Sequence, residues 1–208
     1  IAKKISSEKI VIGCNDKNNI QMSKKFPDAI TIIQKKALGT ADAIKCTKRI
    51  FNKKNSKILI LFGDVPLIKL NSIKRLIKLY NQSKGPGCLL TFTTKEPLGY
   101  GRVQVDKKVV KKITEQIELS KDNLNNNLCN SGIMICEQKF LFNNLINIKN
   151  NNFKKEKYIT DIFEIAYKKN YPFYYTSCGE NELLGVNTRE DLIKLDLILQ
   201  KNLKTKLI

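Results

Sequence analysis

The sequence predicts an α/β fold, a mostly parallel, doubly wound sheet flanked by helices. Strand-like and helix-like runs alternate along the chain, the pattern left by successive βαβ units. Residues 58–62, ILILF, are apolar on both faces, as a central parallel strand covered by two layers should be. In residues 72–83, Ile73, Leu76, Ile77 and Tyr80 keep the i, i+3, i+4, i+7 spacing of a helix that buries one stripe.

Taken in order, residues 9–13 and 29–33 read as short strands rich in Ile, Val and Thr. Residues 41–51 read as a helix carrying Ile44, the Thr47 methyl, Ile50 and Phe51 on one side. The strand 58–62 follows, then the helix 72–83, which Gly85-Pro86-Gly87 terminates. Residues 88–93 are the next strand. The middle of the chain then changes character: residues 102–105 and 108–114 alternate around a turn at Asp106-Lys107. Residues 123–127 form a polar loop and residues 128–136 a strand. A helix over 137–148, an Asn/Lys-rich loop over 149–153, a helix over 161–169, a strand over 173–177 and a helix from Arg189 onward complete the chain. No internal repeat is visible, and residues 1–208 are expected to form one domain.

Composition removes several kinds of chemistry. Histidine is absent, which excludes Ser-His and Cys-His nucleophilic pairs and His-ligated zinc. The six cysteines form no CxxC pair and sit mostly in apolar runs, so they read as reduced core thiols of a cytoplasmic protein. No apolar run approaches the about 18 residues of a membrane helix, and no membrane partner is expected. The net charge of +19 invites a nucleic-acid reading. Against it, the lysines are spread along the whole chain, Arg is scarce, and no basic run is interleaved with aromatics. A basic surface equally suits small anionic substrates such as nucleotides and sugar phosphates.

In open α/β sheets ligands bind beyond the carboxyl ends of the strands. Asp64 stands there, after the strand 58–62 and Gly63, before Val65-Pro66. A carboxylate so placed can hold Mg2+ on a phosphate, or simply close the strand as a turn residue. Gly39 between a strand and a helix permits close approach of a ligand to the backbone, and Thr40 is a candidate N-cap. Gln34 just ahead offers a donor and an acceptor to a base edge, or is plain polar surface. Gly99-Tyr100-Gly101-Arg102 is a two-glycine turn, and Asn130-Ser131-Gly132 interrupts a strand, facing a pocket or forming a bulge. Thr188 and Asp191 have capping-box spacing at the start of the last helix. Asn187 then lies one residue before the cap, available to a metal or to loop hydrogen bonds.

The order of these segments is more telling than any one of them. Residues 34–43 (QKKALGTADA), 62–68 (FGDVPLI), 99–102 (GYGR), Glu115, 130–132 (NSG), 158–161 (YITD) and 185–189 (GVNTR) together resemble the pyrophosphorylase domain of bacterial N-acetylglucosamine-1-phosphate uridyltransferases. The resemblance covers nearly the whole chain. It implies a Rossmann-like fold of the nucleotide-diphospho-sugar transferase type. It also implies a reaction of UTP with N-acetylglucosamine 1-phosphate that releases pyrophosphate, for cell-wall precursor synthesis. By the same resemblance Gln34, Gly39 and Thr40 would contact the uracil and nearby nucleotide, and Phe62 and Gly63 would belong to the substrate-binding set. Gly101, Glu115 and Asn130 would hold the sugar, Thr160 would lie near its phosphate, and Asp64 and Asn187 would be the Mg2+ ligands.

The chain departs from that family in four places. The Gly-rich phosphate loop, its following Lys and the first strand have no counterpart, since Ile1 falls after them, so the chain is expected to be truncated at its amino end and weak or inactive alone. No hexapeptide-repeat β-helix follows the last helix; a trimer is expected only if such a domain follows in a longer parent. Phe62 stands where the family usually has Tyr, and Gln116-Ile117 follows Glu115 where a Lys two residues on is usual. The competing readings are a hexose-1-phosphate nucleotidyltransferase using another nucleotide, a non-catalytic UDP-sugar binding module, and a basic nucleic-acid binder.

Overall fold

A computed structural model describes residues 1–5, 7–51, 56–120, 125–186 and 188–206. The strands are β1 (Val11–Cys14), β2 (Ile30–Ile33), β3 (Lys57–Ile60), β4 (Gly87–Thr93), β5 (Arg102–Asp106), β6 (Val109–Thr114), β7 (Leu128–Glu137) and β8 (Phe173–Ser177). The helices are α1 (Asp16–Lys25), α2 (Thr40–Cys46), α3 (Leu70–Gln82), α4 (Gln138–Asn144), α5 (Asp161–Lys168) and α6 (Arg189–Lys206). Part of the expected polar loop, residues 123–124, lies outside the described residues.

The α/β reading holds, with helices on both faces of a sheet, but strand direction corrects the expectation of a mostly parallel sheet. β1 and β2 pair in parallel as a separate two-stranded unit. The main sheet has the order β3-β7-β4-β8-β6-β5, and within it β4–β8 is the parallel pairing while the others are antiparallel. β7 runs back between β3 and β4, so β3, expected as a central parallel strand, pairs only with antiparallel β7 among the described residues. Its two apolar faces report burial, not direction. Ile58 and Ile60 join the core under α2, α4 and α5, while Leu59 and the following Leu61 join the core under α3. β4 divides likewise, with Leu89 on the first side and Cys88, Leu90 and Phe92 on the second.

Local chemistry explains the start of α1, the end of α2 and the start of α6. α1 is absent from the apolar pattern because none of its residues is buried; the Asn15 side chain caps it, Oδ1 accepting from the Asn18 N–H at 2.9 Å. α2 stops at Cys46, short of the expected 51, where the Thr47 hydroxyl and N–H both turn back to the Ile44 carbonyl. α6 begins with both arms of the expected capping box: Thr188 N–H to Asp191 Oδ2 at 2.9 Å, and Asp191 N–H to Thr188 Oγ at 3.1 Å. The 130–132 segment is a bulge. The β4–β7 register shifts between Leu89 and Thr91, Gly132 takes φ +76°, and Ser131 Oγ donates to the Leu90 carbonyl at 2.6 Å.

Candidate active site

The carboxyl ends of β3, β4, β6 and β8 and the amino ends of β5 and β7 meet at one end of the main sheet, as the strand registers require. Most of the residues singled out in the sequence gather at that end.

On one side, Gln34 follows β2. Its Nε2 donates to the Gly39 carbonyl at 3.1 Å and to Asp42 Oδ2 at 3.0 Å, which closes the 34–39 loop onto the start of α2. Gly39 has φ +102°. Its Cβ space is taken by protein: a Cβ there would lie 2.5 Å from the Lys157 carbonyl oxygen and 2.6 Å from its nitrogen. Lys157 N–H donates to Leu38 O at 2.8 Å and Ala41 N–H donates to Lys157 O at 2.9 Å. The close approach inferred for Gly39 is therefore to a second backbone segment. Thr40 is also corrected. The N-cap position is Gly39 and makes no side-chain cap bond, while Thr40 Oγ accepts from the Ile159 N–H at 3.0 Å. The Lys157 carbonyl already accepts from the Ala41 amide at the start of α2, which leaves the Thr40 hydroxyl for the amide of buried Ile159.

That second segment leads to Thr160, whose hydroxyl donates to Glu115 Oε1 at 2.9 Å. Burial pushes the Glu115 carboxyl above its ordinary range; the Thr160 bond and Lys154 oppose the rise, and Glu118 adds to it. Gly101 lies against Glu115, a Cβ there reaching within 3.3 Å of Oε2. The Gly101 carbonyl accepts from Asn130 N–H, and Asn130 Oδ1 accepts from Gly132 N–H, each at 2.9 Å. Arg102 next door is 1% exposed and donates to the Tyr100 carbonyl. The Tyr100 ring meets Phe92 edge-on at 4.8 Å.

Phe62 ties this side to Asp64. Its ring covers Gly132, where a Cβ would come within 2.7 Å of the ring. Gly63 has open space around it. Asp64 is exposed, and its carbonyl accepts from Val186 N–H at 2.9 Å. Among the described residues the Asp64 carboxylate has no hydrogen-bond or ion-pair partner, and no group of three or more acidic or Cys side chains forms a metal cage. That donor set fits Mg2+, which binds through one or two carboxylates plus substrate phosphates and not through an all-protein cage. Asn187, the other expected ligand, lies outside the described residues.

Gln34, Gly39, Thr40, Thr160, Glu115, Gly101, Asn130, Phe62, Gly63 and Asp64 thus form one contiguous belt of contacts. The sequence reading missed Lys157, which packs on Gly39, and Glu182, which accepts from Lys69 N–H and from Ser72 Oγ. Gly39 was a signal for the first; nothing local points to the second.

Comparison with known proteins gives the class to which a chain of this fold belongs. The chain belongs to the nucleotidyl transferase family, which matches residues 4–183. Within that family it is similar to proteins named Bifunctional protein GlmU. One from Clostridium novyi (strain NT) is 33% identical over 192 residues, covering 92% of this chain and 42% of that protein. One from Rhodopseudomonas palustris (strain BisB5) is 32% identical over 196 residues, covering 94% and 43%. The chain spans less than half the length of these curated relatives. Its fold is shared with a crystal structure described as a glucose-1-phosphate thymidylyltransferase from Bacillus anthracis, at TM-score 0.70 and 18% identity over 95% of this chain and 78% of that one. No helix among the described residues is long and apolar enough to cross a membrane.

Proposed function

We propose that the chain carries the site for uridylyl transfer from UTP to N-acetylglucosamine 1-phosphate, with release of pyrophosphate and in the cytoplasm. The observation that carries this reading is the belt. Residues from separate motifs, chosen by resemblance, are linked by hydrogen bonds and packing at one end of the sheet.

In this reading a phosphate oxygen of the sugar phosphate attacks the α-phosphorus of UTP in line. The new P–O bond forms as the bond to the bridging oxygen breaks, and that electron pair leaves on pyrophosphate. No covalent enzyme intermediate is needed, so a chain without His has all the nucleophile it requires. Gln34, with both Nε2 hydrogens held by Gly39 and Asp42, turns Oε1 to accept from the uracil edge. Glu115, held by Thr160, accepts from sugar hydroxyls, and Asn130 orients the sugar from the bulge. Phe62 keeps the ring packing of the family's Tyr without its hydroxyl. Asp64 and Asn187 would hold Mg2+, which neutralises phosphate charge during the transfer.

The test is pyrophosphate release from UTP and N-acetylglucosamine 1-phosphate with Mg2+, by this chain and by a form extended at its amino end through a Gly-rich phosphate loop. Release that favours UTP over dTTP and GTP and is abolished by Asp64→Ala supports the reading. Absence of release from either form with every nucleotide overturns it, and UDP-sugar binding without turnover would then define a binding module.

A further inference from the structure

We propose that Glu182 is a positioning residue for the metal chemistry at Asp64, acting by clipping the segment that ends at Val186 to the segment that carries Asp64. The proposal rests on the reading above, in which Asp64 holds Mg2+.

α3 begins at Leu70 with Lys69 at the N-cap, and Lys69 supplies no side-chain cap bond. The first amides of a helix need acceptors, and a short polar side chain at the N-cap usually provides one. Here the acceptor arrives from far along the chain. Glu182 Oε2 accepts from the Lys69 N–H at 3.1 Å and from Ser72 Oγ at 2.6 Å. Glu182 is 8% exposed and Ser72 1%. The Ser72 hydroxyl accepts in turn from Arg75 Nη2 at 3.3 Å, and the same nitrogen donates to the Ser177 carbonyl at 3.2 Å. The carboxylate therefore sits at the positive end of α3 with a guanidinium one bond beyond it, a setting that strengthens and shortens the bonds it accepts.

A cap from residue 182 does more than a local one could. The segment that follows it returns to the same strand-to-helix connection at Asp64, whose carbonyl accepts from Val186 N–H at 2.9 Å. Residues 182–186 and 64–72 are thus joined at both ends. On the outer side Glu180 accepts from Thr94 Oγ. Asn187 is the next residue in sequence after Val186. Without the Glu182 carboxylate, the Val186–Asp64 bond is the one hydrogen bond left between residues 182–186 and 64–72 among the described residues, beside the packing of Leu183 in the core that Val65 and Ile68 adjoin.

The test uses Mn2+ as the probe. Free Mn2+ is followed by its electron paramagnetic resonance signal as it is titrated into the 208-residue chain with UDP-N-acetylglucosamine present. UDP-N-acetylglucosamine affinity is measured separately without metal. Glu182→Ala is expected to weaken Mn2+ binding at least about 10-fold, the size seen when a residue that orients a ligand is lost, and to change metal-free nucleotide-sugar affinity less than about 2-fold. Glu182→Gln keeps an acceptor oxygen in place and should return Mn2+ affinity to within about 3-fold of the unsubstituted chain. Ser72→Ala removes one of the two bonds to Glu182, together with the Arg75 contact to Ser72, and should cost about 3- to 5-fold, a milder variant that remains informative if Glu182→Ala does not fold. Amide exchange at Val186 should quicken in Glu182→Ala while Ala41, bonded to Lys157, is unchanged. Unchanged Mn2+ affinity in Glu182→Ala and Ser72→Ala overturns the proposal, as does an equal loss of Mn2+ and metal-free sugar-nucleotide binding, which would leave Glu182 a stabilising cap alone. A folded, unsubstituted chain that binds no Mn2+ with the nucleotide sugar overturns the uridylyl-transfer reading itself, and this proposal with it.

Discussion

Replacing Gly39 by Ala separates two costs that a glycine can hide, and the structure gives both. The first is conformational: φ +102° with ψ 172° lies in a region essentially reserved for glycine, worth about 1–3 kcal/mol. The second is occupancy. The new Cβ would lie 2.5 Å and 2.6 Å from backbone atoms of Lys157, and Lys157 is held by bonds of 2.8 Å to Leu38 and 2.9 Å to Ala41. Moving it away forfeits those two bonds at about 0.5–1.5 kcal/mol each. Gly39→Ala should therefore destabilise the chain by roughly 2–6 kcal/mol in total. Gly99 is the internal control. It has φ +86°, but a methyl added there would meet nothing within 4 Å, so Gly99→Ala should cost only about 1–2 kcal/mol. Gly63 is open and outside the positive-φ region, so Gly63→Ala should stay within about 0.5 kcal/mol. Urea unfolding of the three variants, with unchanged m values, reads these differences directly. A Gly39→Ala cost no greater than that of Gly99→Ala would refute the argument that the Lys157 segment is locked against the start of α2.

Further outcomes follow from the belt. Asp64→Ala should leave unfolding free energy within about 0.5 kcal/mol, because the side chain is exposed, while pyrophosphate release falls by about 10²-fold or more, as for a lost charge-stabilising contact; a parallel loss of stability would point to a structural turn residue. Thr40→Val should cost about 1–3 kcal/mol in urea unfolding, since it strands the Ile159 N–H, whose residue is buried, without its acceptor. Asp161 is pushed up to about 6, first by burial and then by Glu118, Glu164 and Glu115. A carboxyl whose folded value is raised contributes stability that is full below its ordinary value near 3.8 and is lost as pH rises through about 6. Asp161→Asn should flatten the decline in stability between about pH 4 and 6, and a carbon-detected titration of the unsubstituted chain should place this carboxyl at about 6; a titration near its ordinary value would contradict the burial argument.

What could be read in advance depended on the range over which each signal acts. α3, β4 and β7 were legible because each buries a stripe or face whose spacing is written in consecutive residues. The bulge at 130–132 was legible from a polar-Gly interruption inside an apolar strand. The α6 capping box was legible because Thr188 and Asp191 carry both of its bonds. α1 escaped because it buries nothing, so its only mark is an Asn cap followed by lysines. Thr40 looked like a cap and serves instead as the acceptor for Ile159, since residue type signals that an oxygen is available but not which donor will claim it.

The residues by themselves determined the α/β class and the exclusion of His chemistry, and offered polar and glycine positions as candidates for a ligand site. Tertiary structure decided strand direction, because an apolar run such as 58–62 is equally satisfied beside a parallel or an antiparallel neighbour provided both faces are covered. It also decided which backbone fills the space at Gly39 and which carboxylate caps α3. Those partners, Lys157 and Glu182, stand more than 100 residues away from the groups they meet, and a hydrogen bond is set by proximity in space, which periodicity and local spacing do not encode.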